Sequence, residues 1–283
     1  MKLDNDYKRK LQLKILDIVK DIDKLCRDNN IEYYILYGSA LGAIRHKGFI
    51  PWDDDFDIGM TYDNYIKFLE LCEQKLDKDK YYIQTYDKES NYYLSFAKVR
   101  DITTTLIEEG NKDVDMIKGV YVDVFPLVGV PNNKIKEGIL KINRAFMLSA
   151  NKNVINNKIL KKIFNVILKV FGRERILKYT EKECFKYSCS DCDHWVSIAD
   201  GDGFNQNKMR KEIYGKPKYV DFEDTKLPLP QDADNYLRNI YGDYMKIPSK
   251  KQIKEKEHTP YFLDLNLPYK KYLEMMQENK NEK

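Results

Sequence analysis

Three aspartates at alternate positions constrain the fold of this chain more than any other feature of its sequence. Asp53, Asp55 and Asp57 lead into an apolar run, and residues 55–60 are predicted to form a strand. Side chains alternate between the two faces of a strand, so these carboxylates are expected on one face and Asp54 on the other. Carboxylates that share a face repel one another and are costly to desolvate, and a divalent cation relieves both effects. The pattern therefore predicts a strand that holds a metal ion.

The spacing along a strand indicates which of the three aspartates are ligands. Mg²⁺ is usually held by one or two carboxylates together with phosphate and water oxygens, and Mn²⁺ accepts the same ligands. Neighbours on one face lie about 6.6 Å apart, so Asp55 and Asp57 can converge on one ion. Asp53 and Asp57 are about 13 Å apart by the same rule. Asp53 is therefore left as a supporting group, as a ligand of a second ion, or as a ligand if the strand bends.

The overall composition argues against several classes of protein. The 283 residues carry 49 basic and 45 acidic side chains, and a net charge of +4 does not favour nucleic acid as a partner. No apolar run approaches the roughly 20 residues that span a bilayer, and the first residues lack the apolar segment of a signal peptide. The five cysteines are an odd number, which does not favour a disulfide framework. We expect a cytoplasmic location, with attachment to the inner face of the membrane as the alternative.

Alternating helix and strand patterns over the first 130 residues predict an α/β fold with a mixed sheet flanked by helices. The predicted helices there cover residues 7–29, 40–45 and 62–76, and the predicted strands cover residues 32–37, 55–60, 81–86, 92–99, 103–108 and 119–125. The later predictions are helices over most of 134–187, a strand over 217–223, turns over 226–231 and a helix over 232–240. We divide the chain into a catalytic core (1–130), a helical segment (131–190) and a C-terminal portion (191–283) that packs on the core.

Gly38 and Ser39 follow the first predicted strand and precede a short helix. Such a turn offers free backbone N–H groups, the positive end of a helix and a hydroxyl donor to a phosphate. Taken alone, this pattern is more often an ordinary turn. The aspartates on the next strand make a phosphate site the favoured interpretation.

Asp123 is the only charged residue in the apolar run of residues 119–127. An unpaired buried carboxylate is costly, so Asp123 either faces water at a sheet edge or takes part in the acidic site. Beside that site it is a candidate third metal ligand or a general base for an attacking hydroxyl. The sequence leaves both roles open.

Basic residues near these motifs are candidate partners for a diphosphate. Arg45 and Lys47 lie between the Gly-Ser turn and the aspartates, and Lys98 and Arg100 occupy alternate positions at a strand end. Both pairs are equally well explained as solvated side chains.

These residues together closely resemble the signature of the LicD family of phosphocholine transferases, a relative of which occurs in fukutin and fukutin-related protein. The signature is carried by residues 37–59, YGSALGAIRHKGFIPWDDDFDIG. Further similar segments are residues 96–101, 104–105, 119–127, 222–223, 228–230 and 241–248. The resemblance extends from about residue 10 to 250 and is weakest over 134–190.

The resemblance implies a nucleotidyltransferase-like fold with a Gly-Ser turn, a paired-Asp strand and a third acidic strand. By analogy, Gly38 and Ser39 meet the phosphates of the donor, Asp55 and Asp57 hold Mg²⁺, and Asp123 is the third acid. Family members typically use CDP-choline and move phosphocholine to a sugar hydroxyl of a glycan or teichoic acid precursor, often lipid-linked, while CMP leaves. Some relatives instead move ribitol phosphate or glycerol phosphate from the corresponding CDP-alcohol.

The sequence does not assign the group that accepts the hydroxyl proton or the residues that contact the alcohol. Asp123 or Asp53 is the candidate acceptor of the hydroxyl proton, and aromatic rings such as Trp52 are candidate contacts for a quaternary ammonium group. Ser39 and Ala40 stand where many family members have Thr and Leu, which leaves the phosphate contact intact and alters the pocket. The alternatives are a nucleotidyltransferase that transfers NMP and a non-catalytic binding protein, and the retained carboxylates argue against the latter.

A zinc site is considered at Cys184, Cys189, Cys192 and His194. The alternative is that the three cysteines are simply reduced. The spacing is irregular and compact for a tetrahedral site, so reduced cysteines are favoured. The basic amphipathic helix predicted within 158–175 either packs on the catalytic core with its lysines in water or contacts a membrane surface.

Overall fold

The computed structural model describes residues 4–92, 94–149, 158–201, 203–256 and 259–281. The helices are α1 (Asn5–Asp28), α2 (Tyr37–His46), α3 (Tyr62–Lys75), α4 (Lys134–Ser149), α5 (Lys158–Phe171), α6 (Arg173–Phe185), α7 (Phe204–Asn207), α8 (Lys211–Tyr214), α9 (Ala233–Tyr241), α10 (Lys250–Lys256) and α11 (Tyr269–Asn281). The strands are β1 (Tyr34–Ile35), β2 (Asp57–Thr61), β3 (Tyr81–Gln84), β4 (Ala97–Asp101), β5 (Thr105–Glu108), β6 (Val120–Val130), β7 (His194–Ser197), β8 (Met209–Arg210), β9 (Lys218–Phe222), β10 (Thr225–Leu229) and β11 (Pro260–Asp264).

Strand β6 is the centre of a mixed sheet in the order β1-β2-β6-β4-β3. Its first half pairs in parallel with β2 and antiparallel with β4, and its last residues pair antiparallel with β7, which in turn pairs with β8. Val120, Val122 and Val124 are fully buried, as expected for a β-branched strand with neighbours on both sides. The predicted α/β class with a mixed sheet is confirmed.

Helix α1 packs an apolar stripe on this sheet. Asp4 caps the helix by accepting a hydrogen bond from the backbone N–H of Tyr7 at 2.7 Å. Leu11, Ile15 and Ile22 recur at helical spacing and are each about 1% exposed. Burial of such an aliphatic side chain contributes about 1.5–3 kcal/mol. The first turns of α1 therefore hold a fixed position beside the segment that leads into β2.

The buried apolar residues form two clusters. The first combines α1, α2, the N-terminal half of β6 and residues from the C-terminal portion as far as Leu265. The second combines Val128 and Val130 at the end of β6 with α4, α5, α6 and β7. Strand β6 passes from the first cluster to the second between Leu127 and Val128, and the division of the chain at residue 130 remains a prediction.

Most of the predicted elements are confirmed, but several bounds and one turn are wrong. The strand predicted over 92–99 begins only at Ala97. Strand β2 begins at Asp57 rather than at residue 55, and α2 begins at Tyr37 rather than at residue 40. The predicted turns over 226–231 largely form β10, which pairs antiparallel with β9. Pro228 is tolerated there because β10 has β9 as its only partner, and an edge strand needs no N–H donor on its outer side.

Within the described residues, the helices that are long enough to cross a bilayer are too polar, and the apolar ones are too short.

Candidate active site

Three charged side chains lie in one row across β2, β6 and β4. Asp57 pairs with Asp123 in the parallel ladder, and Asp123 pairs with Lys98 in the antiparallel ladder. Paired residues on neighbouring strands project from the same face and are separated by about 5 Å. The ammonium group of Lys98 lies 2.5 Å from a carboxylate oxygen of Asp123, and both side chains are largely buried.

The row contains more negative charge than Lys98 can neutralise. Burial raises the pKa of Asp57 well above its ordinary value, and the nearby Asp55, Asp123 and Asp53 raise it further against the opposing effect of Lys98. Burial also raises the pKa of Asp123, although the ion pair with Lys98 opposes this shift. Carboxylates in such an environment are stabilised by an additional cation, which is the behaviour expected of metal ligands.

The segment before β2 is a tight turn rather than an extended strand. The backbone N–H of Asp53 donates to the carbonyl of Ile50 at 2.9 Å, which closes a turn with Pro51 at its second position. Proline favours this position because its ring fixes φ. The alternation rule therefore does not apply to Asp53 and Asp55.

The turn gathers the aspartates more closely than a strand would. Asp53, Asp54 and Asp55 place carboxylate oxygens within 4.8 Å of one another, and all three are partly buried. The prediction that Asp54 points away from Asp53 and Asp55 is wrong, because the chain bends at this point. Phe56, in contrast, is fully buried in the apolar core, as the alternating pattern predicted. The acidic site thus consists of this cluster, Asp57 and Asp123.

Two polar residues of α1 hold the turn in place. The side-chain amide of Gln12 donates to the carbonyls of Ile50 and Asp53 at 3.1 and 2.9 Å, and Lys8 donates to the carbonyl of Trp52 at 3.3 Å. Gln12 and Lys8 are 3% and 6% exposed. Both were missed by the sequence analysis. Their polar character at buried positions of an apolar helix face was the available signal.

Gly38 and Ser39 lie in the first turn of α2 and contact the aspartates. The Ser39 hydroxyl oxygen accepts a hydrogen bond from the backbone N–H of Asp57 at 2.9 Å. A Cβ atom on Gly38 would lie 2.8 Å from a carboxylate oxygen of Asp53, which is closer than such atoms approach in proteins. The pair therefore supports Asp57 and makes room for Asp53. Its predicted contact with the phosphates of a donor remains a prediction.

Tyr37, which precedes this pair, has a strained backbone. Its φ of +46° is unusual for a residue other than glycine, asparagine or aspartate. Two buried bonds hold it there, because its N–H donates to the Tyr236 hydroxyl at 3.3 Å and its own hydroxyl donates to Asp200. Strained residues held by their surroundings cluster at functional sites, and this one directs the first turn of α2 toward the acidic site.

A cavity of about 690 Å³ adjoins the acidic site. Asp54, Asp55, Asp123, Lys98 and Arg100 line it, together with aromatic residues and further acids. The structure therefore brings both predicted basic residues of β4 to the same cavity as the carboxylates. The volume falls within the range of small-molecule sites.

Arg45 and Lys47 are placed differently from the basic residues of β4. Arg45 donates to the carbonyl of Tyr244 at 2.8 Å and to the His46 ring at 2.9 Å. Lys47 is exposed and ends α2 in the left-handed conformation, with φ of +59°. Neither is part of the cavity lining. Burial lowers the pKa of Arg45, and the nearby carboxylates of the site act on it through Asp53, which opposes that shift.

Charged side chains lie against the aromatic residues of the cavity wall. The ammonium group of Lys98 lies 3.4 Å from the centre of the Tyr121 ring, and the Tyr121 hydroxyl donates to Glu108 at 3.0 Å. Burial alone would raise the pKa of Glu108, but Lys98 and Arg100 outweigh burial and lower it. Glu108 is thus held as a carboxylate inside the cavity. The sequence analysis missed Glu108 and Tyr121 as site residues.

The cysteines considered for zinc, Cys184, Cys189 and Cys192, are buried, and Cys184 belongs to the second core cluster. The Cys189 thiol donates to the carbonyl of Leu127 at 3.3 Å. Burial raises the pKa of Cys184 and of Cys189 to about 12, which disfavours the thiolate that binds zinc. Among the described residues, the aspartate cluster is the one group of three side chains with ligand atoms this close together.

Part of the chain matches a known protein family. Residues 30–157 match the model of the LicD/FKTN/FKRP nucleotidyltransferase domain. This region of the chain therefore resembles the LicD family. The matched region contains α2, the aspartate turn, β2, β4 and β6, and hence every residue of the row and the cluster described above.

Individual relatives match to different extents. The lipopolysaccharide cholinephosphotransferase LicD of Haemophilus influenzae is 29% identical over 258 residues, which cover 87% of this chain and 94% of that protein. An uncharacterised protein of Rickettsia typhi is 43% identical over 65 residues, covering 23% of this chain and 21% of that protein. Mannosyltransferase regulator 4 of Saccharomyces cerevisiae is 26% identical over 123 residues, covering 41% of this chain and 10% of that protein.

Proposed function

We propose that this chain is a divalent-cation-dependent transferase that moves phosphocholine from CDP-choline to a sugar hydroxyl and releases CMP. The observation that carries the proposal is the row of Asp57, Asp123 and Lys98 beside the cluster of Asp53, Asp54 and Asp55. The similarity to a lipopolysaccharide cholinephosphotransferase over most of both chains supports phosphocholine as the transferred group and a glycan as the acceptor.

The carboxylates fit a hard divalent cation such as Mg²⁺ or Mn²⁺. Asp57 and Asp123 are hard oxygen ligands with pKa values raised by burial, and the adjacent carboxylates raise that of Asp57 further. We assign Asp55, Asp57 and Asp123 as ligands and add Asp53, because the turn brings it to the cluster. A bound cation would neutralise the diphosphate and stabilise the charge on the leaving CMP.

The residues of the chain have separate tasks in the proposed reaction. The acceptor oxygen forms a bond to the phosphorus of phosphocholine as the bond from phosphorus to the CMP oxygen breaks. A carboxylate of the site accepts the proton of the sugar hydroxyl. Asp123 can do so only if Asp53, Asp55 and Asp57 hold the cation, because a carboxylate bound to a divalent cation is a weak base. Lys98 contacts Asp123 directly and offsets the negative charge that develops on the phosphoryl oxygens. Arg100 lines the same cavity and adds positive charge.

Phe96 and Phe125 give the cavity aromatic surfaces on which a cationic alcohol could lie. The ring of Tyr121 is already covered by Lys98, and Glu108 and Asp200 are already bonded to Tyr121 and Arg144. A quaternary ammonium group is stabilised by aromatic faces, whereas ribitol and glycerol would need hydroxyl partners instead. We therefore propose choline as the alcohol. The acceptor would be a lipid-linked glycan or teichoic acid precursor at the inner face of the membrane.

Thermal unfolding with candidate donors tests the proposal. CDP-choline with Mg²⁺ should raise the melting temperature of the protein more than CDP-ribitol, CDP-glycerol or CTP, and should yield CMP when a sugar acceptor is present. Asp57→Asn should remove both effects, and Asp221→Asn, whose side chain is 72% exposed, is the matched control.

Other responses to these donors would indicate other functions. Preferential response to CDP-ribitol or CDP-glycerol would assign another phospho-alcohol, and release of pyrophosphate from CTP would indicate a nucleotidyltransferase. A protein that ignores every donor, with Asp57→Asn indistinguishable from the wild type, would contradict a catalytic function.

A further inference from the structure

Helix α5 carries a row of exposed aliphatic side chains. Ile159, Ile163, Val166 and Val170 are 71%, 47%, 62% and 66% exposed. They recur at helical spacing, so at 3.6 residues per turn they lie within an arc of about 60°. Single exposed aliphatic residues are common on protein surfaces, but a row of four on one face is not.

This row is separate from the face with which α5 packs on the protein. Phe164 is 3% exposed in the second core cluster, and Ile167 and Leu168 pack against that cluster. At 100° per residue, Phe164 lies about 130° around the helix from the centre of the exposed row. Helix α5 therefore has one apolar face that is satisfied by the core and a second one that faces outward.

Helix α4, a neighbour of α5, carries a second exposed row. Ile135, Ile139 and Ile142 are 75%, 46% and 55% exposed and also recur at helical spacing. The next residue in this row is Phe146, whose ring lies 5.2 Å from that of Phe164 on the buried face of α5. The two exposed rows therefore lie on neighbouring helices. We call them together the α4–α5 apolar surface, formed by Ile135, Ile139, Ile142, Ile159, Ile163, Val166 and Val170.

Positive charge borders this surface. Helix α5 contains four lysines and no acidic residue, and Lys162 and Lys169 are exposed beside the aliphatic row. Helix α4 adds exposed Lys134 and Lys136. The acidic residue of α4, Glu137, is already paired with Lys141 and Lys208. The combination of an aliphatic row and flanking lysines is the pattern of a helix that lies in a membrane interface.

We infer that the α4–α5 apolar surface docks on the surface of an anionic lipid bilayer. The aliphatic side chains would enter the acyl boundary, and the lysine stems would extend so that their ammonium groups reach lipid phosphates. The inference rests on the exposed residues and their charges, and it does not depend on the proposed reaction.

Charge favours this occupant over a second copy of the chain. A symmetric contact between two α4–α5 surfaces would bring the lysines of both copies together, and such like charges disfavour association. An anionic bilayer instead pairs every lysine with a phosphate.

Sedimentation with lipid vesicles tests the inference on the full chain. The protein should bind vesicles of phosphatidylcholine mixed with phosphatidylglycerol at low ionic strength, and should bind pure phosphatidylcholine vesicles much less. The double variant Ile163→Gln/Val166→Gln should bind the mixed vesicles at least about tenfold more weakly, because it removes apolar surface from the centre of the row. Lys162→Glu/Lys169→Glu should weaken binding and reduce its sensitivity to salt.

Ile247→Gln is the matched control, because Ile247 is 61% exposed and lies outside the surface. Its binding should equal that of the wild type. Failure of the wild type to bind the mixed vesicles at low ionic strength would overturn the inference. A concentration-dependent dimer that Ile163→Gln/Val166→Gln abolishes, with vesicle binding unaltered, would overturn it in favour of self-association. The rate of CMP release with a water-soluble sugar acceptor should be unchanged in these variants, because none of the four substituted residues lines the cavity beside the carboxylates.

Discussion

Asp57 and Asp123 occupy paired positions on the neighbouring parallel strands β2 and β6, so their carboxylates share one face of the sheet. Paired positions in a sheet are separated by about 5 Å, a distance at which like charges repel strongly when water is largely excluded. Lys98 contacts Asp123, so the charge of Asp57 requires a further cation to offset it. The fold thus maintains an arrangement that is unfavourable without a cation.

The first prediction concerns the charge of Asp57. Because burial and the neighbouring carboxylates raise its pKa, its ionised form destabilises the protein at neutral pH in the absence of a divalent cation. Asp57→Asn should therefore be at least as stable as the wild type in the presence of EDTA, with a gain of up to about 1 kcal/mol. The same variant should lose activity by roughly 10³-fold, because it removes a ligand and a charge at the reacting centre. Thermal unfolding with EDTA and with Mg²⁺, together with CMP release, measures these effects.

A loss of stability in Asp57→Asn with EDTA would contradict this prediction, since it would show that the carboxylate is satisfied within the protein. Retention of the stabilisation by Mg²⁺ would show that the cation is held elsewhere.

The second prediction uses the close approach of Gly38 to Asp53. A methyl group at position 38 would lie 2.8 Å from a carboxylate oxygen of Asp53 and would push that side chain away. Alanine favours a helix by up to about 1 kcal/mol over glycine, so Gly38→Ala should keep its stability. Its activity should nevertheless fall by about tenfold or more, and a higher Mg²⁺ concentration should be required for half-maximal rate.

Gly138→Ala is the matched control for this substitution. Gly138 also lies in a helix, and an added methyl group there would meet no atom within 4 Å. This control should gain slightly in stability and keep its activity. Equal activity in Gly38→Ala and Gly138→Ala would show that the position of Asp53 does not affect the reaction.

The third prediction concerns the buried pair of Lys98 and Asp123. Lys98→Met should destabilise the protein by about 3 kcal/mol in urea unfolding, because it leaves a buried carboxylate without its partner. Asp123→Asn should also be destabilising, since it leaves the ammonium group unpaired. The double variant should recover most of the lost stability but no activity, with a coupling free energy of about 2 kcal/mol. Additive losses would indicate that the two groups do not interact in solution.

The sequence indicated the acidic residues of the candidate site better than it indicated their geometry. The acidic residues before β2 and the single charge of β6 were visible as breaks in apolar patterns, and both belong to the site. Their pairing with Lys98 was not predictable, because strand register is set by contacts between distant segments. Asp53 and Asp55 were placed on a strand because the alternation rule assumes an extended chain. Pro51 was the signal of a turn, and the alternation pattern concealed it.

Other contributions to the site come from residues with no recognisable motif. Gln12 and Lys8 act on the aspartate turn from the first helix, about forty residues earlier in the chain. Glu108 reaches the cavity because its carboxylate accepts from Tyr121 on a different strand. Such contacts depend on tertiary packing, and the sequence marks them only as polar residues in apolar surroundings.

The fourth prediction concerns Glu181 on α6, which lines a second cavity of about 350 Å³ with Tyr62, Tyr65 and Phe185. Burial, with a contribution from Asp87, raises the pKa of Glu181 to about 7. The folded protein therefore binds a proton that the unfolded chain releases at lower pH, so stability falls as the pH rises from the ordinary glutamate pKa to about 7. Glu181→Gln should remove this loss. Its free energy of unfolding should match the wild type at about pH 5 and exceed it by on the order of 2 kcal/mol at about pH 8.

Glu174→Gln provides the control on the same helix, because Glu174 is exposed and pairs with Lys178 at the surface. The stability difference between this control and the wild type should stay within about 0.5 kcal/mol and should not depend on pH over the same range. A Glu181→Gln variant whose advantage is constant with pH, or is largest in acid, would show that Glu181 is already ionised in the folded protein. The aromatic rings around it would then have to tolerate a carboxylate, and the cavity would be wetter than its lining suggests.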